Sequence, residues 1–303
     1  MNEKKPSNAY WKKRGIQDKK KVLRVSEHGI TDLKKLLKTN LDDIQKKIKV
    51  FYDKYGENPA EKLSYAEFQK YKAELRRKAR LNPQDKMLQK IAKQDIPKYR
   101  IDRLRALETD IQLQLTEITR GQEKGIYKTL KDVAKISQAT TLARFSNVDL
   151  AFHRLSDKKI QKLLSSEWSG KNWSERLWGD RKIVGEKVQT ILEKGIPQGT
   201  SLQTMTRELK NETGVLFRDA FRLMRTESAY IDAQVLLESF KEAKEYGYTH
   251  YIYDATIDNR TSQICQELDN QVFLIDDGEI GKNFPPMHPN CRSTCVLDES
   301  TRV

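Results

Sequence analysis

Residues 254–273 read DATIDNRTSQICQELDNQVF, and residues 281–295 read GKNFPPMHPNCRSTC. All three cysteines of the chain, Cys265, Cys291 and Cys295, fall inside these stretches, as does one of its four histidines, His288. Just upstream, YTHYIYDA at 248–255 is rich in tyrosine, and such a run before a turn is predicted to be a strand. The D-x-R-T run at Asp258, Arg260 and Thr261 then falls on a turn, where Asp and Thr side chains bond nearby backbone. Arg260 is placed to reach a carboxylate such as Asp269 or Glu227. The fold class predicted is mainly α: extended N-terminal helices and a helical middle region, followed by a small α+β C-terminal domain with a short sheet.

Hydrophobic residues make up 37% of the 303 and charged residues 33%, a balance that suits long solvated helices better than one thick core. The net charge of +14 is unevenly placed. Residues 1–120 carry 31 Lys+Arg against 17 Asp+Glu, whereas residues 121–303 carry 26 of each. A basic half of this kind suits a polyanion such as nucleic acid, and equally a solvated lysine-rich helical surface. No apolar run is long enough to cross a membrane, and the basic N-terminus lacks the apolar core of a secretory signal. An odd number of cysteines in such a chain predicts reduced thiols in an intracellular setting.

Four regions are expected. Residues 1–28 form a basic arm with Tyr10 and Trp11, either flexible or docked on a partner. Residues 29–145 form a basic helical region, 146–247 a helical middle region and 248–303 the small α+β domain. Within 31–55, Leu37, Leu41, Ile44, Ile48, Phe51 and Tyr55 alternate spacings of four and three, the seam of a bundle helix. A second helix, 64–80, ends in a basic cluster. Arg76, Arg77, Lys78 and Arg80 are there as candidates for backbone contacts to DNA without base reading, or as a solvated face. Pro97 is expected to break the next helical stretch, and Gly121 and Gly125 to loosen the chain before a helix over 126–138. Further on, Ser174 is the expected N-cap of a helix from Trp173. Ser201, closing the GIPQGTS turn, caps another, and a further helix runs from about 216 to 247.

Three constellations carry chemistry. Arg222, Arg225, Thr226 and Glu227 lie mid-helix among apolar neighbours, so each buried charge needs a partner, as in an ion-pair network. The D-x-R-T turn is the second. The third is Cys265, His288, Cys291 and Cys295, spaced C-x22-H-x2-C-x3-C, which offers the donor set of a closed tetrahedral zinc site. Zinc is therefore the candidate cofactor. The alternative is a small core in which the cysteines pack as apolar residues and His288 bonds backbone. No catalytic residue is assigned.

In chain order, RLWGD (176–180), GIPQGTS (195–201), MRTESA (224–229), D-x-R-T (258–261), C-x-x-L-D (265–269) and PPMHPNCR (285–292) form a series. It resembles the phage minor head, or head morphogenesis, proteins similar to Mu protein F, over roughly 147–303. Pro286, His288, Pro289 and Arg292 belong to the most specific of these motifs. The resemblance implies a structural virion component, associated with the portal inside the capsid, assisting head assembly and DNA packaging or ejection. Its implied partners are portal, capsid or scaffold proteins and non-specific double-stranded DNA, with no membrane. The implied locations are the virion and, during assembly, the host cytoplasm. A further enzymatic domain beyond Val303 is not expected. The competing reading is a nuclease whose C-terminal domain uses His288, Arg260 and Glu227.

Overall fold

The computed structural model describes residues 7–56, 58–81, 83, 86–93, 101–146, 155–168 and 170–303. The expected break at Pro97 and the expected boundary near Asn147 lie outside them. Among the described residues the chain is mainly helical, with one small antiparallel sheet, as predicted. It divides into two compact units. The first gathers Met1–Lys34, Gln122–Arg176 and Arg218–Val303; the second gathers Lys35–Gly121 and Leu177–Phe217.

The first unit holds the sheet and the start of helix α1 (Asn8–Tyr55). That helix runs without a break through residue 28, where the sequence suggested the end of an arm. Its seam begins at Trp11 and continues through Val22, Ile30 and Leu33, all buried. Two polar residues, Asp18 and Ser26, occupy seam positions between them and are buried as well. Asp18 accepts from Arg144 of helix α4 (Arg103–Ser146), at 3.0 Å from Nε. Beside it, buried Lys19 pairs with Asp232 of helix α7 (Leu202–Ala243) at 2.9 Å, and Ser137 donates to the same carboxylate at 2.6 Å. Each buried charge thus has an opposite charge and a hydrogen bond, the condition for keeping it out of water.

Gly121 and Gly125 do not loosen the chain: α4 is continuous through both. In the first unit, a Cβ on Gly125 would stand 3.1 Å from Leu33 Cδ2, and one on Gly29 would fall 2.2 Å from Thr129 Oγ1. These glycines let α1 and α4 approach closely, which offsets their low helix propensity. Likewise, the helices expected before and after residue 216 are one helix, α7, begun by Ser201, whose hydroxyl accepts from Thr204 N–H at 3.2 Å.

Strand β1 (His250–Asp254) is central, flanked by β2 (Val272–Leu274) and β3 (Thr294–Leu297), both antiparallel to it. Tyr251 stands opposite Phe273 on one side and Leu297 on the other, and Tyr253 stands opposite Cys295. Tyr251, Tyr253 and the whole of β3 are buried, as are Trp11, Phe145, Phe240 and Phe284 in the same core. Edge-to-face rings connect it: Phe240 to Phe284 at 5.9 Å and Tyr251 to Phe284 at 5.2 Å. Such pairs add about 0.5–1.5 kcal/mol each beyond burial.

The second unit contains the rest of α1, helices α2 (Tyr65–Leu81) and α3 (Lys86–Lys93), the start of α4, and most of helix α6 (Trp173–Gly195). Helix α2 opens with a reciprocal cap: Glu67 N–H donates to Ser64 Oγ, and Ser64 N–H donates to Glu67 Oε2 at 2.8 Å. Those bonds hold the Glu67 carboxyl down at about 2. Lys47 and Lys78 both bind Asp110 at 2.6 Å.

Candidate functional site

Short segments of the first unit bring most of the quoted motifs together. Helix α8 (Gln263–Leu268) is capped by Ser262, which accepts from Cys265 N–H, and this sets the thiol on the inner face of the helix. The turn at 285–292 begins with a cis Pro285–Pro286 bond and passes through Asn290 at φ 63. Asn tolerates that left-handed conformation better than most residues. The turn carries His288 and Cys291 to the same place. Cys265 Sγ lies 3.4 Å from His288 Nε2 and 3.8 Å from Cys291 Sγ. The three donor atoms lie within 4.8 Å of one another, with both cysteines buried and His288 half-buried.

The surroundings polarise this cluster. His288 Nδ1 donates to Pro289 O at 2.9 Å, which leaves Nε2 as the acceptor facing sulfur. Tyr253 hydroxyl stands 3.2 Å from Cys265 Sγ. Bonding from Cys291, and then from Ser262, Ser293 and Tyr253, favours a thiolate at Cys265 and lowers its pKa. The Cys291 thiol, facing that sulfur and buried, is pushed up. Cys295, fully buried on β3, is not a member of the three-donor group, and burial raises its thiol too.

The D-x-R-T turn joins the same site through a paired clamp. Arg292 donates to both carboxylate oxygens of Asp258, at 2.7 and 2.5 Å. Asp258 also accepts from Arg260 N–H at 2.8 Å, so its carboxyl is held well below the usual range, first by Arg292. The Thr261 hydroxyl accepts from Asp258 N–H at 2.7 Å and donates to Thr256 O at 2.6 Å, the local bonding expected of this turn. The Arg260 guanidinium stays exposed, 3.6 Å from Asp258.

On α7, Arg225 forms a two-point pair with Glu27 of α1 at 2.6 and 3.1 Å, and this pair lowers the Glu27 pKa. Arg222 pairs with Asp219 one turn earlier. Thr226 accepts from Asn290 N–H at 3.4 Å, which puts this helix beneath the 285–292 turn. Glu227 is buried, and the indole N–H of Trp168 donates to it at 3.1 Å. Burial raises its pKa, and Trp168 and the Arg176 charge oppose that shift. Trp168 itself stacks flat on Tyr230, centroids 4.7 Å apart. Sequence reasoning missed Tyr253, Trp168 and Glu27. The signal for Trp168 was the buried Glu227 charge that it answers, and for Glu27 the half-buried Arg225. Among the described contacts, Glu227, Arg260 and His288 each have separate partners, so no shared reaction centre forms from them.

In the second unit, the basic cluster on α2 is divided. Arg77 pairs with Glu74 and Lys78 with Asp110, while Arg76 and Arg80 are exposed.

Residues 186–296 match a protein family described as Phage Mu protein F like protein. Over those residues the chain is similar to the Mu F-like phage proteins. The Mu F-like region takes in GIPQGTS, MRTESA, the D-x-R-T turn and the whole Cys/His cluster; RLWGD lies ahead of it. The chain is also similar to NAD(+)–arginine ADP-ribosyltransferase EFV of Enterococcus faecalis, at 28% identity over 138 residues. That match covers 45% of this chain and 28% of the relative, so the chain spans little more than a quarter of that protein's length. No solved structure matched. Among the described residues no helix is long and apolar enough to cross a membrane.

Proposed function

We propose that this protein is a minor capsid component associated with the portal inside the phage head. It assists head assembly and DNA packaging or delivery through non-specific contacts to double-stranded DNA, works beside capsid or scaffold proteins, and is present in the host cytoplasm during assembly. The observation that carries the reading is the Mu F-like match over the C-terminal region, joined to a positive excess held entirely in residues 1–120. Arg76 and Arg80 are exposed members of the α2 cluster offered to phosphates, while exposed Arg77 is paired with Glu74. The chain is read as non-enzymatic. The family is a structural one, and the transferase relative shares too little of its length to lend its activity.

The test has two arms. Deleting the gene in the phage should leave heads that fail in assembly, packaging or infectivity, and the protein should co-purify with portal-containing particles. In vitro, the full chain should bind duplex DNA without sequence preference, with affinity falling by a factor on the order of 10³ between low and moderate salt if about six phosphates are engaged. Normal particles from the deletion strain would refute the head role. Salt-insensitive or absent binding would refute the DNA contact.

A further inference from the structure

We propose that Cys265, His288 and Cys291 bind one zinc ion as a structural site that ties α8 to the 285–292 turn. The donor chemistry and the spacing agree independently. Two thiolate sulfurs and an imidazole nitrogen form a soft set that suits zinc over magnesium or calcium. With Zn–S of about 2.3 Å and Zn–N of about 2.0–2.1 Å, a tetrahedral angle sets sulfur–sulfur edges near ~3.8 Å and sulfur–nitrogen edges near ~3.6 Å. Two of the three edges are close to these values, 3.8 Å between Cys265 and Cys291 sulfurs and 3.4 Å between Cys265 Sγ and His288 Nε2, and all three donors lie within 4.8 Å of one another. A disulfide would instead bring the sulfurs to about 2.05 Å.

The outer shell is in place. The Nδ1–H of His288 is tied to Pro289 O, which fixes the tautomer that presents Nε2 to a metal. Tyr253 hydroxyl, 3.2 Å from Cys265 Sγ, supplies a bond to a ligand sulfur. Three protein donors leave the fourth tetrahedral position to a non-protein ligand such as water. Binding displaces any remaining thiol protons to solvent. Cys295 is excluded by its position on β3, so the site uses two of the three cysteines. The domain has a sheet of only three short strands, and a metal cross-link is a common supplement to so small a core.

The experiment uses the full chain, purified without chelator from zinc-supplemented cells. Metal analysis should find about one zinc per chain. Cobalt titration of the stripped protein should give tetrahedral visible bands and thiolate charge transfer in the near ultraviolet, both displaced by zinc. Cys265→Ser and Cys291→Ser should each abolish binding, and Cys295→Ala should keep it. Because a serine variant can fail to fold, the cobalt spectrum of the unmutated chain is the independent readout. Folded protein without zinc or cobalt bands would overturn the proposal. So would a Cys265–Cys291 disulfide, or a folded Cys295→Ala variant that has lost the metal.

Discussion

Replacing Trp11 with alanine tests whether the start of α1 is part of the C-terminal core or an arm. Trp11 is 1% exposed. Its ring meets Phe145 at 5.5 Å and Tyr10 edge-on at 5.4 Å, and its indole N–H reaches Glu299 at 3.3 Å. Truncating a buried tryptophan costs about 3–5 kcal/mol through lost transfer energy and the cavity left behind. The hydrogen bond adds little, because Glu299 keeps Tyr248 and Arg302 as partners. For a unit of this size each kcal/mol moves Tm by about 2–4 °C, so the unfolding transition should fall by roughly 6–20 °C. Thermal and urea melts followed by circular dichroism measure it, with half-buried Tyr10→Ala as a milder companion. A Trp11→Ala protein that melts within about 1 kcal/mol of the parent would refute the packing argument and restore a detached arm.

Lys19→Met should cost about 3–5 kcal/mol in the same melts, because it removes the paired cation and leaves buried Asp232 with the Ser137 hydrogen bond and the more distant Arg144 charge. The double change Lys19→Met, Asp232→Leu should recover much of that loss, since apolar replacement of a buried pair is often near neutral. Gly29→Val should destabilise by about 1–3 kcal/mol, as its Cβ would collide with Thr129; a neutral result would mean that α1 and α4 are not so close. Glu108 is pushed up to about 7 by burial, with Glu193 and Asp102 adding repulsion. Its folded form holds the proton more tightly than its unfolded form. The associated stability is therefore complete in acid and lost as pH rises through about 7. Glu108→Gln should flatten that decline, giving a variant more stable than the parent at pH 8; equal melts at pH 8 would count against it. Arg76→Ala with Arg80→Ala should lower the slope of log affinity against log salt by about 2 if both touch phosphates, and leave it unchanged if they do not.

The helical class and the small sheet were legible because both rest on pattern. Tyr251, Ile252 and Tyr253 form a buried central strand, and Leu37, Ile44, Ile48 and Phe51 mark a helix face. The first turns of α1 were not legible. Asp18 and Ser26 hold seam positions, so hydrophobic periodicity fades there although the helix continues. The buried partner that satisfies Asp18, Arg144, lies more than a hundred residues away in sequence. Glycine misled for a related reason. Locally Gly121 and Gly125 weaken a helix, and only the neighbouring α1 makes a missing side chain an advantage. Ser174 was expected to cap α6, but the capping side chain is Asn172, which accepts from Ser174 N–H at 2.8 Å.

The Cys/His cluster shows where spacing stops being informative. Cys291 and Cys295 are separated by three residues and look like a pair. The chain enters β3 between them, with Cys295 registered opposite Tyr253 and Cys291 left in the turn. Cys265 comes from a different element, and the Asp258–Arg292 pair joins the turn ahead of that element to the turn that carries Cys291. That clamp lies next to the sulfurs in sequence and carries no metal-ligand chemistry of its own. Asp258→Asn weakens the clamp by removing a charge while leaving every sulfur and nitrogen donor in place. A loss of metal affinity in that variant without loss of fold would assign the motif to positioning. Unchanged affinity would show that the turns hold their places without it.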